Sequence, residues 1–269
     1  MNTPASAAVE LRKVDTGRGW SWLTEAWELF MRAPGTWIAI IVIYILIFAA
    51  ASSVHGGSLL TTLFEQVFSG GLILACSAQD SGQPLKIELL FAGFSGSRFR
   101  KLLLLALLNM AALFALALLG LLLAVASSAL SSSEFTAMDI VSPDSVVERI
   151  LPQMLSNLPL LLVALVLLSL YIPLLMGMWL APALIVLRDQ EPVAAFRLSL
   201  KACMVNFMPF LIYGLIGLLI AIAATIPLGL GWLLAAPVFS ISIYTSYRDM
   251  FPPAPDFNAT QPIPVPPPL

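Results

Sequence analysis

Few side chains in this sequence could do chemistry, and those few are set among long apolar runs. Glu65, with Gln66 beside it, is a carboxylate inside such a run, Leu59–Ala78. A charge within a membrane span is costly, and a carboxylate held there would suit a proton or cation path. Ser58, Thr61 and Thr62 make the start of the run polar, which instead favours Glu65 at the outer interface, ionised in water. Asn109 falls about two turns into the next run and is expected to hydrogen-bond across helices. Asp80, Asp189 and Asp249 each follow an apolar pair on one side of the chain's topology. Brought to one axis they would attract a cation; held apart, each would cap a neighbouring helix. His55 lies alone in a Gly turn, and Cys76 and Cys203 have the character of small packed hydrophobes. No Cys/His/Asp/Glu set has metal-ligand spacing, and no nucleophile elbow or phosphate loop occurs. No catalytic residue, cofactor or metal is expected, and the reading is of a protein that is not an enzyme.

The elements that must position these groups are membrane spans. Hydrophobic residues make up 59% and charged residues 10%, with mean hydropathy +0.95. Soluble domains are about a quarter charged, so the chain is expected to be an integral membrane protein of one helical bundle. The apolar runs are Trp37–Ser53, Leu59–Ala78, Leu102–Ala126, Leu158–Leu187, Phe207–Ile226 and Gly231–Tyr247. A bilayer core needs about 20 mostly apolar residues as helix. The fourth run is too long for one straight span, and Pro173 and Pro182 are expected to kink it, bending Trp179–Leu187 along the interface; the span itself is placed at 158–180. Lys and Arg cluster before the first run, between the second and third, between the fourth and fifth, and after the last; only Arg149 lies on the other side. Basic loops mark the cytoplasm. The expected topology is six spans, near residues 37–53, 59–78, 102–126, 158–180, 207–226 and 231–247, in the inner membrane with both termini cytoplasmic. No cleaved signal is expected, because the start is polar rather than a short basic stretch leading at once into an apolar one. No basic run points to nucleic acid.

Each pair of runs is preceded by an amphipathic stretch. In the first, Trp20, Leu23, Trp27 and Phe30 share a stripe at i, i+3/4, i+7, with Ser21, Glu25, Glu28 and Arg32 on another. In the third, Val193, Phe196, Leu200 and Met204 are apolar, with Arg197 and Lys201 one turn apart. The second, Leu85–Phe99, is weakened by Gly93 and Gly96. These stretches read as interfacial helices, with Trp20, Trp27 and Phe30 as anchors at headgroup depth; the alternative is that they pack on one another or on the spans. The pattern of amphipathic stretch, two spans and an Asp-containing break occurs three times, which suggests an internal repeat. The second unit carries an acidic outer loop, 127–157, within which Val146–Leu155 could form a short helix. Residues 1–16 are expected to be disordered, 17–251 to form the membrane domain, and the Pro-rich tail 252–269 to be disordered or polyproline II.

Five motifs together carry a resemblance: Trp20-Ser21-Trp22-Leu23-Thr24-Glu25-Ala26-Trp27-Glu28-Leu29-Phe30, Gly70-Gly71-Leu72, Leu90-Phe91-Ala92-Gly93-Phe94, Trp179-Leu180-Ala181-Pro182-Ala183-Leu184 and Tyr244-Thr245-Ser246-Tyr247-Arg248-Asp249. Across roughly residues 17–251 the chain resembles a family of uncharacterised proteobacterial six-helix inner-membrane proteins. That resemblance implies the fold and supplies no activity. The expected function is a non-enzymatic scaffold that binds membrane lipids, a protein partner or a second copy of itself. A transporter or channel for a small or apolar substrate is the first alternative, and an immunity or accessory factor acting through the outer loop the second.

Overall fold

The structure is a computed structural model and describes residues 10–130 and 158–252. Most of the acidic loop, with the short helix expected over Val146–Leu155, and the Pro-rich tail past Pro252 lie outside those residues. The described residues are helical throughout: α1 (Arg18–Met31), α2 (Pro34–Ser52), α3 (Gly57–Asp80), a 3-10 helix (Ile87–Phe94), α4 (Gly96–Leu130), α5 (Leu158–Trp179), α6 (Ala181–Arg188), α7 (Pro192–Val205), α8 (Phe207–Thr225) and α9 (Trp232–Met250). Proline sets several starts, because its fixed φ and missing N–H suit a first turn. Pro34, Pro182 and Pro192 stand in the first turns of α2, α6 and α7.

Five helical segments are long and apolar enough to cross a membrane: Pro34–Ser52, Gly57–Asp80, Gly96–Ala126, Pro159–Arg188 and Phe207–Thr225. The expected sixth span is not among them. Its helix, α9, is long enough, but its second half carries Ser240, Ser242, Thr245, Ser246, Arg248 and Asp249, and those groups are used inside the protein.

The chain divides into two units, residues 1–107 with 176–269, and 108–175. In the smaller unit, the ends of α4 and α5 meet where Gly120 lies against Leu167. Asn109 is half-buried there and makes no hydrogen bond to a described residue, unlike the cross-helix bond expected of it.

The larger unit is built around α3. Of its apolar window 56% is buried, against 17% for α2 and for α8. Gly71 and Gly93 explain how the 3-10 helix lies so close to it. A Cβ on Gly71 would collide with the Leu90 carbonyl, and one on Gly93 with the Val67 carbonyl. Gly93, one of the two glycines that weaken the second amphipathic stretch as a helix, is the one that lets it press its backbone on α3.

The long fourth run breaks beside Pro182 as expected, while Pro173 stays inside an unbroken α5, and the segment after the break is buried in the protein. α5 ends at Trp179, and α6 begins at Ala181 with Ala181–Val186 all buried. The α-helical bond lost at the break would run from Leu180 N–H to Met176 C=O. The Ser199 hydroxyl stands in its place, accepting from Leu180 N (3.0 Å) and donating to Met176 O (2.7 Å). A side chain inserted into the ladder is one of the recognised causes of a kink.

The start of the chain is more ordered than expected. Residues 10–16 form an irregular strap, with Val14 buried. Arg12 N–H donates to Met250 O (2.9 Å), and the buried Asn206 amide accepts from Val14 N (2.8 Å) and donates to Arg12 O (3.2 Å). One side-chain amide satisfies two backbone groups of a segment that has no secondary structure to do so.

Candidate functional site

The amphipathic helix α1 lies across α8 and α9 and shows two different faces. Its inward face is Gly19, Trp22, Leu23, Ala26, Leu29 and Phe30. A Cβ on Gly19 would collide with the Pro209 carbonyl, so the helix crosses the start of α8 in backbone contact. The Trp22 ring is 0% exposed and packs on Phe210 with centroids 5.0 Å apart, while the Trp22 carbonyl accepts from Thr245 Oγ1 (2.8 Å).

Where α1, α3 and α9 meet, five charges form a line of alternating sign. Asp249 Oδ2 accepts from Arg18 Nε (2.6 Å) and Trp22 Nε1 (2.9 Å). Arg18 Nη2 reaches Glu25 Oε1 (2.7 Å), and Glu25 Oε2 receives Arg248 Nη2 (2.7 Å). Arg248 Nη1 ends the line on Asp80 Oδ2 (2.7 Å), which also accepts from Tyr244 OH (2.9 Å). The Asp249 hydrogen bond holds the Arg18 guanidinium above its ordinary pKa. Asp80 and Asp249 therefore do converge, but on arginines, and neither caps a helix. Asp189 stays apart with Glu191, and both pair with Lys101 (3.0 and 2.9 Å). Carboxylates occupied by guanidinium in this way tie helices together and leave no open cation site.

The other side of α1 faces a groove of about 550 Å³, bounded also by α8 and α9. Trp20 (54% exposed) and Trp27 (45% exposed) line it, with Thr24, Glu28 and the edge of Leu23. Ile220, Ala224, Leu234 and Val238 form its other walls. The expected anchor stripe is thus divided. Trp20 and Trp27 remain on the surface, whereas Phe30, at 1% exposure, is a core residue and cannot serve as an anchor. The physical reason is that the face of α1 docked on α8 and α9 is centred on Trp22, Ala26 and Phe30, which takes Phe30 inward and leaves Trp20 and Trp27 outside.

Glu65 lies on the exposed side of α3 and lines a small pocket of about 160 Å³ with Tyr44, Ser69 and Ser240. His55 is exposed in its turn, and Cys76 and Cys203 are buried free thiols. Burial pushes the Cys203 thiol up to about 12.

Sequence reasoning missed the alternating line of charges. Its members are spread from residue 18 to residue 249, and spacing along a chain carries no signal for contacts that distant. The motifs that carry the family resemblance did hold the signal. The Trp20–Phe30 motif docks on Tyr244–Asp249, and Gly70-Gly71-Leu72 docks on Leu90–Phe94.

Fold and site together define an all-helical protein with several membrane-length apolar helices and an amphipathic helix docked beside an apolar groove. No family model matches the chain, and no solved structure matches it. The chain is similar to a "Probable inner membrane protein" of Burkholderia thailandensis, with 28% identity over 235 residues, covering 85% of this chain and 82% of that one. That similarity accords with the resemblance to proteobacterial inner-membrane proteins.

Proposed function

We propose that this protein is a non-enzymatic inner-membrane scaffold that binds membrane lipid through the groove beneath α1. The groove carries the reading. Its volume falls in the range of ligand sites, about 300–1,000 Å³, and its walls are almost wholly apolar. Two tryptophans stand at its edge, the residue type favoured at a membrane interface. Supporting a scaffold over an enzyme, Arg18, Glu25, Asp80, Arg248 and Asp249 are committed to one another. Lipid binding is tested by reconstituting the protein with brominated lipid and comparing tryptophan quenching in the wild type with a Trp20→Phe/Trp27→Phe double variant. The groove tryptophans should account for a large share of the quenched signal. An unchanged quenched fraction in the double variant would remove the lipid assignment.

The topology belongs to the same proposal: six spans, α9 included, with both termini cytoplasmic and the units arranged as three repeats. The Lys/Arg asymmetry supports the orientation, and the order short helix, long helix, long helix, repeated along the chain, supports the repeat. Cysteine at Ser132 should react with an impermeant thiol reagent outside intact cells, and cysteine at Ser95 or Thr260 should not. Reversed labelling would overturn the orientation.

A transporter or channel is the second reading, and the pocket at Glu65 favours it, since a carboxylate, a phenol and two hydroxyls line it. Glu65→Gln abolishing a measured flux would put that reading first.

A further inference from the structure

The groove beneath α1 is polar on one wall only. All of its polar side-chain groups come from α1: the Thr24 hydroxyl, the Glu28 carboxylate and the indoles of Trp20 and Trp27. What α8 and α9 contribute is aliphatic, Ile220, Leu234 and Val238 being the largest. An occupant matching this lining has one small polar head and an apolar chain.

The sign of the head follows from Glu28. It is the one charged residue in the lining. Glu25, nearby on the same helix, has an arginine on each oxygen, whereas Glu28 has no partner among the described residues. Arg32, one turn further on, does not pair with it. The indole Nε1 atoms of Trp20 and Trp27 are likewise unused, while those of Trp22 and Trp37 donate to Asp249 and Gln79. An ammonium is attracted both to a carboxylate and to indole faces. The free indole N–H groups can donate to a phosphate. An anionic head with no ammonium would bring its charge beside Glu28 uncompensated.

We infer that the groove selects a phospholipid with an ammonium head group, seating the ammonium at Glu28 on the wall that also carries Trp20 and Trp27, and the acyl chain along α8 and α9. This rests on the lipid-binding reading of the same groove. It adds the head-group chemistry and the residue that chooses it.

The test uses the full chain in mixed micelles titrated with dibrominated phosphatidylethanolamine or phosphatidylglycerol of the same acyl composition. The signal is the quenching lost in the Trp20→Phe/Trp27→Phe variant. The wild type should bind the ethanolamine lipid roughly two- to fivefold more tightly, the size of a partly screened charge pair. Glu28→Gln should bring the ratio to about one while quenching persists, and Glu28→Lys should invert it. Glu28 is exposed, so both variants should elute as the wild type does, with the same helical content. Equal affinities in the wild type, or a preference that survives Glu28→Gln, would overturn the head-group assignment and leave lipid binding standing. No groove-dependent quenching by either lipid would overturn both, and would point to a second copy or a protein segment as the occupant.

Discussion

Trp22 and Trp27 sit on the same helix and live in opposite surroundings. Trp22 is sealed between α8 and α9 with its indole N–H on a carboxylate; Trp27 stands in an open apolar groove with its N–H unused. α7 repeats the contrast with other residues. Its buried face is Ala195, Ser199, Ala202 and Cys203, while Val193 and Met204 point outward. Both helices keep large apolar side chains at the surface, Trp20 and Trp27 on α1 and Val193 and Met204 on α7, although α1 also turns Trp22 and Phe30 inward. Where the surroundings are lipid, burying apolar surface in protein gains little, and close packing decides which face turns in.

The widest gap between the two faces should appear in stability. Trp22→Ala should cost about 3–5 kcal/mol, as for a large aromatic removed from a packed site, and should lower the melting temperature in detergent by many degrees. Trp27→Ala should cost under about 1 kcal/mol. Equal losses would break the distinction. In α7, Ser199→Val should cost about 1–3 kcal/mol, because Leu180 N–H would be left buried and unpaired while the Met176 carbonyl kept only the weak bond from the Cys203 thiol (3.4 Å). Met204→Ala, on the outward face, should be nearly silent in the same melting assay.

The line of charges sharpens the comparison at smaller scale. Arg248→Gln and Glu25→Gln should each cost about 1 kcal/mol, since the groups are partly exposed and screened. Their double variant should lose less than the sum, as expected of neighbours in one network. Strict additivity in chemical denaturation would mean that the two pairs act separately. Smallest of all, Glu65→Gln should leave thermal stability unchanged within about 0.5 kcal/mol, as for an exposed substitution.

Helices, their proline-marked starts and the break in the fourth run were legible in the sequence, because each rests on local chemistry. Pro182 and Pro192 are read correctly from sequence without knowledge of any partner. The amphipathic stripe of α1 was legible as a stripe and not as a contact. Periodicity orders residues around a helix, yet whether Trp22 or Trp27 turns inward depends on Phe210, Thr245 and Asp249, more than 180 residues away. Gly93 was misjudged for a related reason. Alone it reads as a weak point in a helix, and its use becomes visible only with the Val67 carbonyl beside it. The sixth run was legible as a helix, α9, but not the bonds its hydroxyls make inside the protein, because hydropathy does not distinguish hydroxyls facing lipid from hydroxyls bonded within the protein. The strap over 10–16 left no trace in the sequence, since it is held by Asn206 and the Met250 carbonyl, more than 190 residues away.

Trp22 and Asp249 are 227 residues apart in the chain, and Arg18 and Asp249 231. α1 is made more than 220 residues before its partners on α9. At about 5–20 residues per second, it waits roughly 10–50 seconds before Asp249 reaches Arg18 and Trp22. Full docking of α1 therefore reports that α9 has been made. A copy truncated before Trp232 would keep the α8 side of the seat, Pro209 and Phe210, and lose the α9 side, Thr245 and Asp249.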